Sequence, residues 1–319
     1  MKRYCVVGSL NMDMVTRIER FPEPGETVRG QSFTIFPGGK GANQAVALAK
    51  LGAPVEMIGA LGDDVLGQRY RQVLADARIG ASGVAQVRDV STGTASIEVT
   101  ASGENHIIIV AGANAAVTPA YVESQRSVIA ACDYLLLQLE IPLDAVMRAA
   151  SIARAAGIPV ILDPAPAREL PPELYGLVSI ITPNETEARL LTGEATATDA
   201  GIHCAGQSLR SRGVGSAIIK AGKLGAFLIE AGTFTHVPGF AVNVVDTVAA
   251  GDSFNAGLAA ALGDGASMLE AIRFANATGA LSTTREGAQS AMPSAGEVRA
   301  LMAREPLDDS PTTARDTSR

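Results

Sequence analysis

The sequence predicts an α/β protein: a central, mostly parallel sheet flanked by helices, with a small β-sheet as a lid. Two observations carry this. From residue 55 onward, short apolar strand-like runs alternate with helical stretches, as in successive βα units. Two further segments, 12–36 and 93–111, alternate apolar and polar residues in the manner of half-buried antiparallel strands. A chain of 319 residues with 47% hydrophobic content can bury a large core.

Val6-Val7 opens a first strand that ends at Gly8. Met14, Thr16 and Ile18, then Val28, Phe33 and Ile35, alternate on either side of the turn PEPGE at 22–26. Ala42, Ala45, Val46 and Ala49 follow the spacing of an amphipathic helix. Strand 55–60, helix 64–78 and β runs at 93–100 and 106–111 come next. Helix 119–131, strand 134–139, helix 143–156 and strand 158–162 follow as βα pairs. Strands are expected at 178–182, 215–220 and 225–230, with helices near 184–192 and 199–212. The small sheet is expected over the carboxyl ends of the main strands, where α/β folds place ligands. It is too small to be stable alone, so pairing with the same sheet of a second subunit is expected. Residues 1–304 read as one domain, and the polar tail 305–319 reads as disordered.

Composition excludes several classes. A net charge of −7 with no basic run argues against nucleic acid as a partner. No run of about 18 uncharged apolar residues occurs, and the apolar stretch near the N-terminus is too short for a signal peptide. Cys5, Cys132 and Cys204 are odd in number and far apart, which fits neither a disulfide framework nor a zinc site and suits a reducing cytoplasm. His106, His203 and His236 are scattered and suggest no triad. Neither a Walker A loop nor a G-x-G-x-x-G fingerprint is present, so a nicotinamide oxidoreductase is disfavoured.

Four segments carry candidate chemistry. Gly38-Gly39-Lys40-Gly41-Ala42-Asn43 lets backbone approach a ligand at a helix start, although a plain glycine-rich turn explains the same letters. Asp246-Thr247-Val248-Ala249-Ala250-Gly251-Asp252 runs small residues into a helix start, where free N–H groups can gather negative charge. A lone Asp252 reads best as an N-cap. The second acid, Asp246, and the bare Ala-Ala-Gly between them favour an anion hole with a base beside it. Thr182 and Glu185 make a capping box with Pro183 at the first helical position, while Asn184 and Glu187 can share one face and orient hydrated magnesium. Asn11 and Asp13 alternate across an extended segment and so point the same way, which suits hydroxyl recognition or a turn.

Taken in order, these segments resemble the ribokinase (phosphofructokinase-B) family of carbohydrate kinases over roughly residues 3–304. The resemblance rests on GSLNMD at 8–13, PEPGETV, GGKGANQAVA, GDD at 62–64, STGTA at 91–95 and AGANA at 111–115. It continues through QLE at 138–140, DPAPARELP at 163–171, ITPNETEA at 181–188 and VDTVAAGDSFNAG at 245–257. It implies phosphoryl transfer from ATP to O5 of D-ribose. Asn11, Met12, Asp13, Gly39, Lys40, Asn43 and Glu140 would bind the sugar, with Thr94, Ser96 and Ile97 as a selective wall. Asp252 would be the catalytic base, and the N–H groups of Ala249, Ala250 and Gly251 the anion hole. ATP would be held by Asn184, by Lys220, Ala221, Gly222, Lys223, Leu224 and Gly225, by Gly251 and by Asn276. Asn184 and Glu187 would help position Mg2+. Asp246, Val248, Ser282, Arg285 and Gly287 would bind K+, mostly through backbone carbonyls. A homodimer through the small sheets is expected on the separate ground of their size. The chain departs from the family pattern at Ala291, where relatives carry Ser near the cation, and at Lys220, where some carry a small hydroxyl residue. Rival readings are a sibling kinase for deoxyribose, fructose or a nucleoside, and a non-catalytic sugar sensor.

Overall fold

The computed structural model describes residues 2–304, so the expected disordered tail lies outside the described residues. Among these, thirteen strands form two sheets. They are β1 (Tyr4–Val7), β2 (Asn11–Ile18), β3 (Ser32–Gly38), β4 (Val55–Gly62), β5 (Gly80–Val87), β6 (Gly93–Thr100) and β7 (Asn105–Val110), followed by β8 (Tyr134–Leu137), β9 (Val160–Leu162), β10 (Ile180–Ile181), β11 (Ser216–Lys220), β12 (Gly225–Glu230) and β13 (Thr233–Pro238).

The larger sheet has the order β13-β12-β11-β10-β9-β8-β1-β4-β5. It is parallel from β11 to β5 and antiparallel at β11/β12 and β12/β13. Its central strands are short and almost wholly apolar because helices cover both faces. Cys5, Val7, Leu135, Leu137, Val160 and Leu162 face one core. Val6, Met57, Leu136 and Ile161 face the other. Fully burying one such aliphatic side chain stabilises the fold by roughly 1.5–3 kcal/mol.

The smaller sheet has the order β3-β2-β6-β7. The antiparallel pairing expected within 12–36 and within 93–111 is present as β2/β3 and β6/β7. The two hairpins, however, join through a parallel contact, Asn11↔Gly93 to Ile18↔Thr100. Asn114 fixes this junction. Its Oδ1 accepts from Leu10 N at 2.9 Å, and its Nδ2 donates to Asn11 Oδ1 at 2.7 Å. Three residues separate the end of β1 from the start of β2, so the small sheet leaves the main sheet at the carboxyl edge. β7 is exposed along its whole length, with Ile107, Ile108, Ile109 and Val110 each more than half exposed.

Several boundaries differ from expectation. β5, β13 and the helices Met268–Ser282 and Ala295–Arg304 come in addition to the elements read from the sequence. The helix expected at 119–131 is two short ones meeting at Gln125. The capping box near residue 184 is shifted by two: Asn184 is the N-cap and Glu187 the reciprocating acid. Thr182 does not cap, because its hydroxyl donates inward to Leu162 O and to Asn255 Oδ1, at 3.3 and 2.6 Å.

Candidate active site

The carboxyl ends of β1, β8, β9 and β11 meet two helix starts, those of Lys40–Lys50 and Ala250–Gly263. Ala249 caps the second helix in the left-handed region (φ 59°, ψ 14°) with no side-chain cap. A left-handed Ala costs roughly 1–2 kcal/mol, so the surrounding fold holds this turn against its preference. The helix therefore begins without a capping oxygen. Ala250 N makes a long bond of 3.3 Å to Thr247 O. Ala249, Ala250 and Gly251 carry nothing beyond a methyl group, and residues 249–252 line the cleft.

Asp252 stands on the first turn of this helix and is 4% exposed. It is not the N-cap. Its carboxylate instead accepts from Asn43 Nδ2 at 3.0 Å and from Gln44 Nε2 at 3.2 Å, both on the other helix start. Burial pushes its pKa up to about 6, with Lys40 and Asn43 pulling the other way. Gly39, at φ +88°, opens the Lys40–Lys50 helix; a Cβ there would sit 2.7 Å from Asn11 N, so the position needs glycine.

A crowded acidic chamber lies beside Asp252. Glu140 Oε2 accepts from Ser9 Oγ at 2.5 Å and from Lys40 N at 3.0 Å. Burial, reinforced by Glu140 and Asp252, pushes Asp13 up to about 7. Burial alone would lower Lys40, but Asp252, Asp163, Glu140 and Glu187 more than reverse it and hold the ammonium charged. Gln289 Nε2 donates to Asn43 Oδ1 and to Tyr70 OH, at 3.2 and 2.8 Å, locking the amide that faces Asp252.

On the other side an open cleft of about 890 Å3 runs over Lys40, Asp163, Asn184, Glu187 and Lys220 to the loop 222–225. Asn184, Lys220, Gly222, Lys223, Leu224, Gly225, Gly251 and Asn276 all line it, whereas Ala221 is buried. Asn276 donates to Val237 O and Pro238 O, at 2.9 and 3.0 Å, and so fixes the end of β13. Glu187 is raised, chiefly by burial.

The structure thus brings together Asn11, Asp13, Gly39, Lys40, Asn43, Glu140 and residues 249–252. Met12 is turned away: strand alternation sends its side chain into the core, fully buried. Of Thr94, Ser96 and Ile97, only Ile97 shares the face of Asp13. Parallel pairing sets Ala95 beside Asp13 and Ile97 beside Val15, and puts Thr94 and Ser96 on the opposite face. Asp246 gathers a second cluster, accepting from Val248 N and Gly287 N, each at 3.0 Å. Ser282 is buried, with its hydroxyl given to Gly279 O, and the Arg285 side chain pairs with Glu297. Arg285 has only its backbone oxygen for a cation, while the Ser282 hydroxyl, having donated its proton, keeps its lone pairs. Ser9, Gln44, Gln138, Asp163, Tyr70, Asn114 and Gln289 belong to the site yet were not singled out by sequence. Ser9, Gln44, Asn114, Gln138 and Asp163 stand inside quoted motifs, but nothing in the motifs reveals what their side chains touch.

A buried carboxylate, an uncapped helix start and a wide cleft beyond them define an arrangement suited to moving a proton and a charged group between two ligands. Residues 1–295 match the family described as "pfkB family carbohydrate kinase", and the chain belongs to that family. It is 43% identical over 296 residues to a ribokinase of Haemophilus influenzae, covering 93% of this chain and 97% of that one. It is 38% identical over 294 residues to a deoxyribokinase of Salmonella typhi, with 91% and 95% covered. The structure of an Arabidopsis thaliana ribokinase complexed with ribose and ATP superimposes with a TM-score of 0.90 at 36% identity, covering 94% of this chain and 98% of that chain.

Proposed function

We propose that this protein transfers the γ-phosphoryl group of ATP to O5 of D-ribose, giving D-ribose 5-phosphate and ADP. The observation that carries the reading is Asp252. It is buried at an uncapped helix start, held by Asn43 and Gln44, with the acidic chamber on one side and the open cleft on the other. Asn11, Asp13, Gly39, Lys40, Asn43 and Glu140 bind the sugar hydroxyls. Asp252 takes the O5 proton as O5 attacks the γ-phosphorus, and ADP leaves with the bond pair. The amides of Ala249, Ala250 and Gly251 receive the charge spreading over the phosphoryl oxygens. With a pKa near 6, Asp252 is ionised at neutral pH yet more basic than an ordinary aspartate.

Asn184, the loop Lys220–Gly225, Gly251 and Asn276 hold ATP. Asn184 and Glu187 fit a hydrated Mg2+. Their capping box engages Asn184 Oδ1 and Glu187 Oε2, and both residues line the cleft. Among the described residues no cluster of three or more His, Cys, Asp or Glu forms a metal cage, which suits a cation carried mainly by water and phosphate. That ion would neutralise charge on the β- and γ-phosphates. K+ suits the backbone oxygens around Asp246, Val248, Ser282, Arg285 and Gly287, where Asp246 already joins two loops. Buried Ala291 offers no hydroxyl, which favours weak potassium activation.

Residues 1–304 act as one unit with the small sheet as its lid, excluding water from the transfer. The exposed β7, edged by Ile107 to Val110, supports a homodimer through two such sheets. Three free cysteines support a cytoplasmic setting, and no described helix is long and apolar enough to cross a membrane.

The test is ADP release with ribose, Mg2+ and K+. Ribose-dependent turnover supports the reading, and none at millimolar sugar defeats it. A deoxyribose kinase is the second reading, favoured by the likeness to a deoxyribokinase; a panel of ribose, 2-deoxyribose, fructose and nucleosides separates the two by kcat/KM.

A further inference from the structure

The acidic chamber is connected to the cleft by a buried polar chain. Asp163, just past β9, is 2% exposed. Its Oδ1 accepts from Lys220 Nζ at 2.9 Å, and its Oδ2 accepts from Gln44 Nε2 at 3.3 Å. The same Gln44 Nε2 donates to Asp252 Oδ1 at 3.2 Å. Gln138 Nε2 donates to Gln44 Oε1 at 2.6 Å. The two acceptor-only carboxylates fix the orientation of the Gln44 amide: its NH2 group faces them, so its oxygen faces Gln138. Two buried carboxylates sharing one amide repel each other unless one is neutralised. The Lys220 side chain, 13% exposed at the cleft floor, supplies that charge to Asp163.

We propose that Asp163 and Lys220 form a charge-compensated positioning pair for the base. Asp163 holds Gln44 so that its amide donates to Asp252, and Lys220 partly offsets the Asp163 charge that acts on Asp252. The inference rests on Asp252 being the base of the reaction proposed above. It gives Lys220 a task independent of any contact with ATP. Asp252 is also faced by Asp13 from β2, by Lys40 and Asn43 from one helix, by Tyr70 from the helix Val65–Asp76, and by Glu140 from the segment after β8. Those groups are the same in every variant below, so differences between variants report the pair.

The test is a double-mutant cycle of Lys220→Met and Asp163→Asn, read in kcat, KM, the pH profile of kcat and the unfolding midpoint. Lys220→Met leaves Asp163 charged and unpaired beside Asp252. The expected result is a fall in kcat of about tenfold, an acid limb moved to higher pH and a lower unfolding midpoint. Adding Asp163→Asn removes the stranded charge while its side-chain oxygen still accepts from Gln44. Recovery of kcat to within about threefold of the parent, with the acid limb and the midpoint moving back, supports the proposal. Additive effects on kcat overturn it. So does a rise in ATP KM alone that Asp163→Asn does not repair, which assigns Lys220 to the nucleotide. Recovery of the midpoint without recovery of kcat also overturns it, leaving the pair a stability element. The midpoint needs no turnover. A parent enzyme without sugar-dependent activity therefore sinks the proposed function, whereas additive midpoints sink the pair.

Discussion

The two sides of Asp252 are built differently. Inward, buried Asn43 and Gln44 and half-buried Glu140 and Asp13 crowd together, and Asn43, Gln44, Ser9 and Lys40 N donate to the carboxylates of Asp252 and Glu140. Outward, an open cleft of about 890 Å3 is floored by Lys220 and the glycine-bearing loop 222–225. The contrast teaches what each side is for. The closed side sets the direction and basicity of one carboxylate. The open side presents a helix start, a glycine-bearing loop and Lys223 to a large, charged ligand that must come and go.

The sharpest way to break this contrast is Asp252→Asn. It is nearly isosteric, but it cannot take a proton, and its NH2 group forfeits one of the two bonds from Asn43 and Gln44. Turnover is expected to fall by about 10²-fold or more while calorimetry still detects ribose binding. An active variant would remove Asp252 as the base and leave the closed side a mere packing feature. Glu140→Gln comes next. It weakens a charge-assisted acceptor for Ser9 Oγ and Lys40 N, worth about 1.5–3 kcal/mol. Ribose KM should rise by about tenfold, with kcat much less affected; an unchanged KM would mean the closed side does not hold the sugar.

A smaller effect is expected in stability. Asp13 and Asp252 have folded pKa values of about 7 and 6, above an ordinary aspartate, because burial disfavours their charged forms. The folded state therefore binds protons more tightly than the unfolded chain, and stability from these groups is lost as pH rises through 6–7. Glu26 and Glu297, held down to about 2, lose their contribution only at much lower pH. The ligand-free protein should melt higher at pH 5.5 than at pH 8, and the reverse order would deny that the closed side is desolvated. The smallest effect on chemistry is expected from Ile108→Asp on the exposed edge of the small sheet. It should shift sedimentation from dimer to monomer with little change in kcat, and a parent that already sediments as a monomer would contradict lid pairing.

The sequence revealed these two sides unequally. Val245 to Asp252 was legible because its chemistry is consecutive: small residues, then an acid, at one helix start. The parallel sheet was legible because its central strands are apolar on both faces. Gln44 and Asp163 were not, because their roles exist only where three distant elements meet. Met12 and Thr94 show the same limit: strand register, absent from any local pattern, decides which alternate residues face the site. The capping box near 184 was misplaced because Thr182–Glu185 and Asn184–Glu187 both fit the spacing, and the hydroxyl of Thr182 is claimed by Asn255 across the core. β5 was missed because Gly80–Val87 is rich in small residues and carries weak alternation.

The most direct measurement of the central claim is the pH dependence of kcat at saturating ribose and ATP. One buried carboxylate that must be ionised to accept the O5 proton predicts an acid limb with its midpoint near pH 6, below which kcat falls tenfold per unit. A kcat that stays flat from pH 8 down to pH 5 would contradict it.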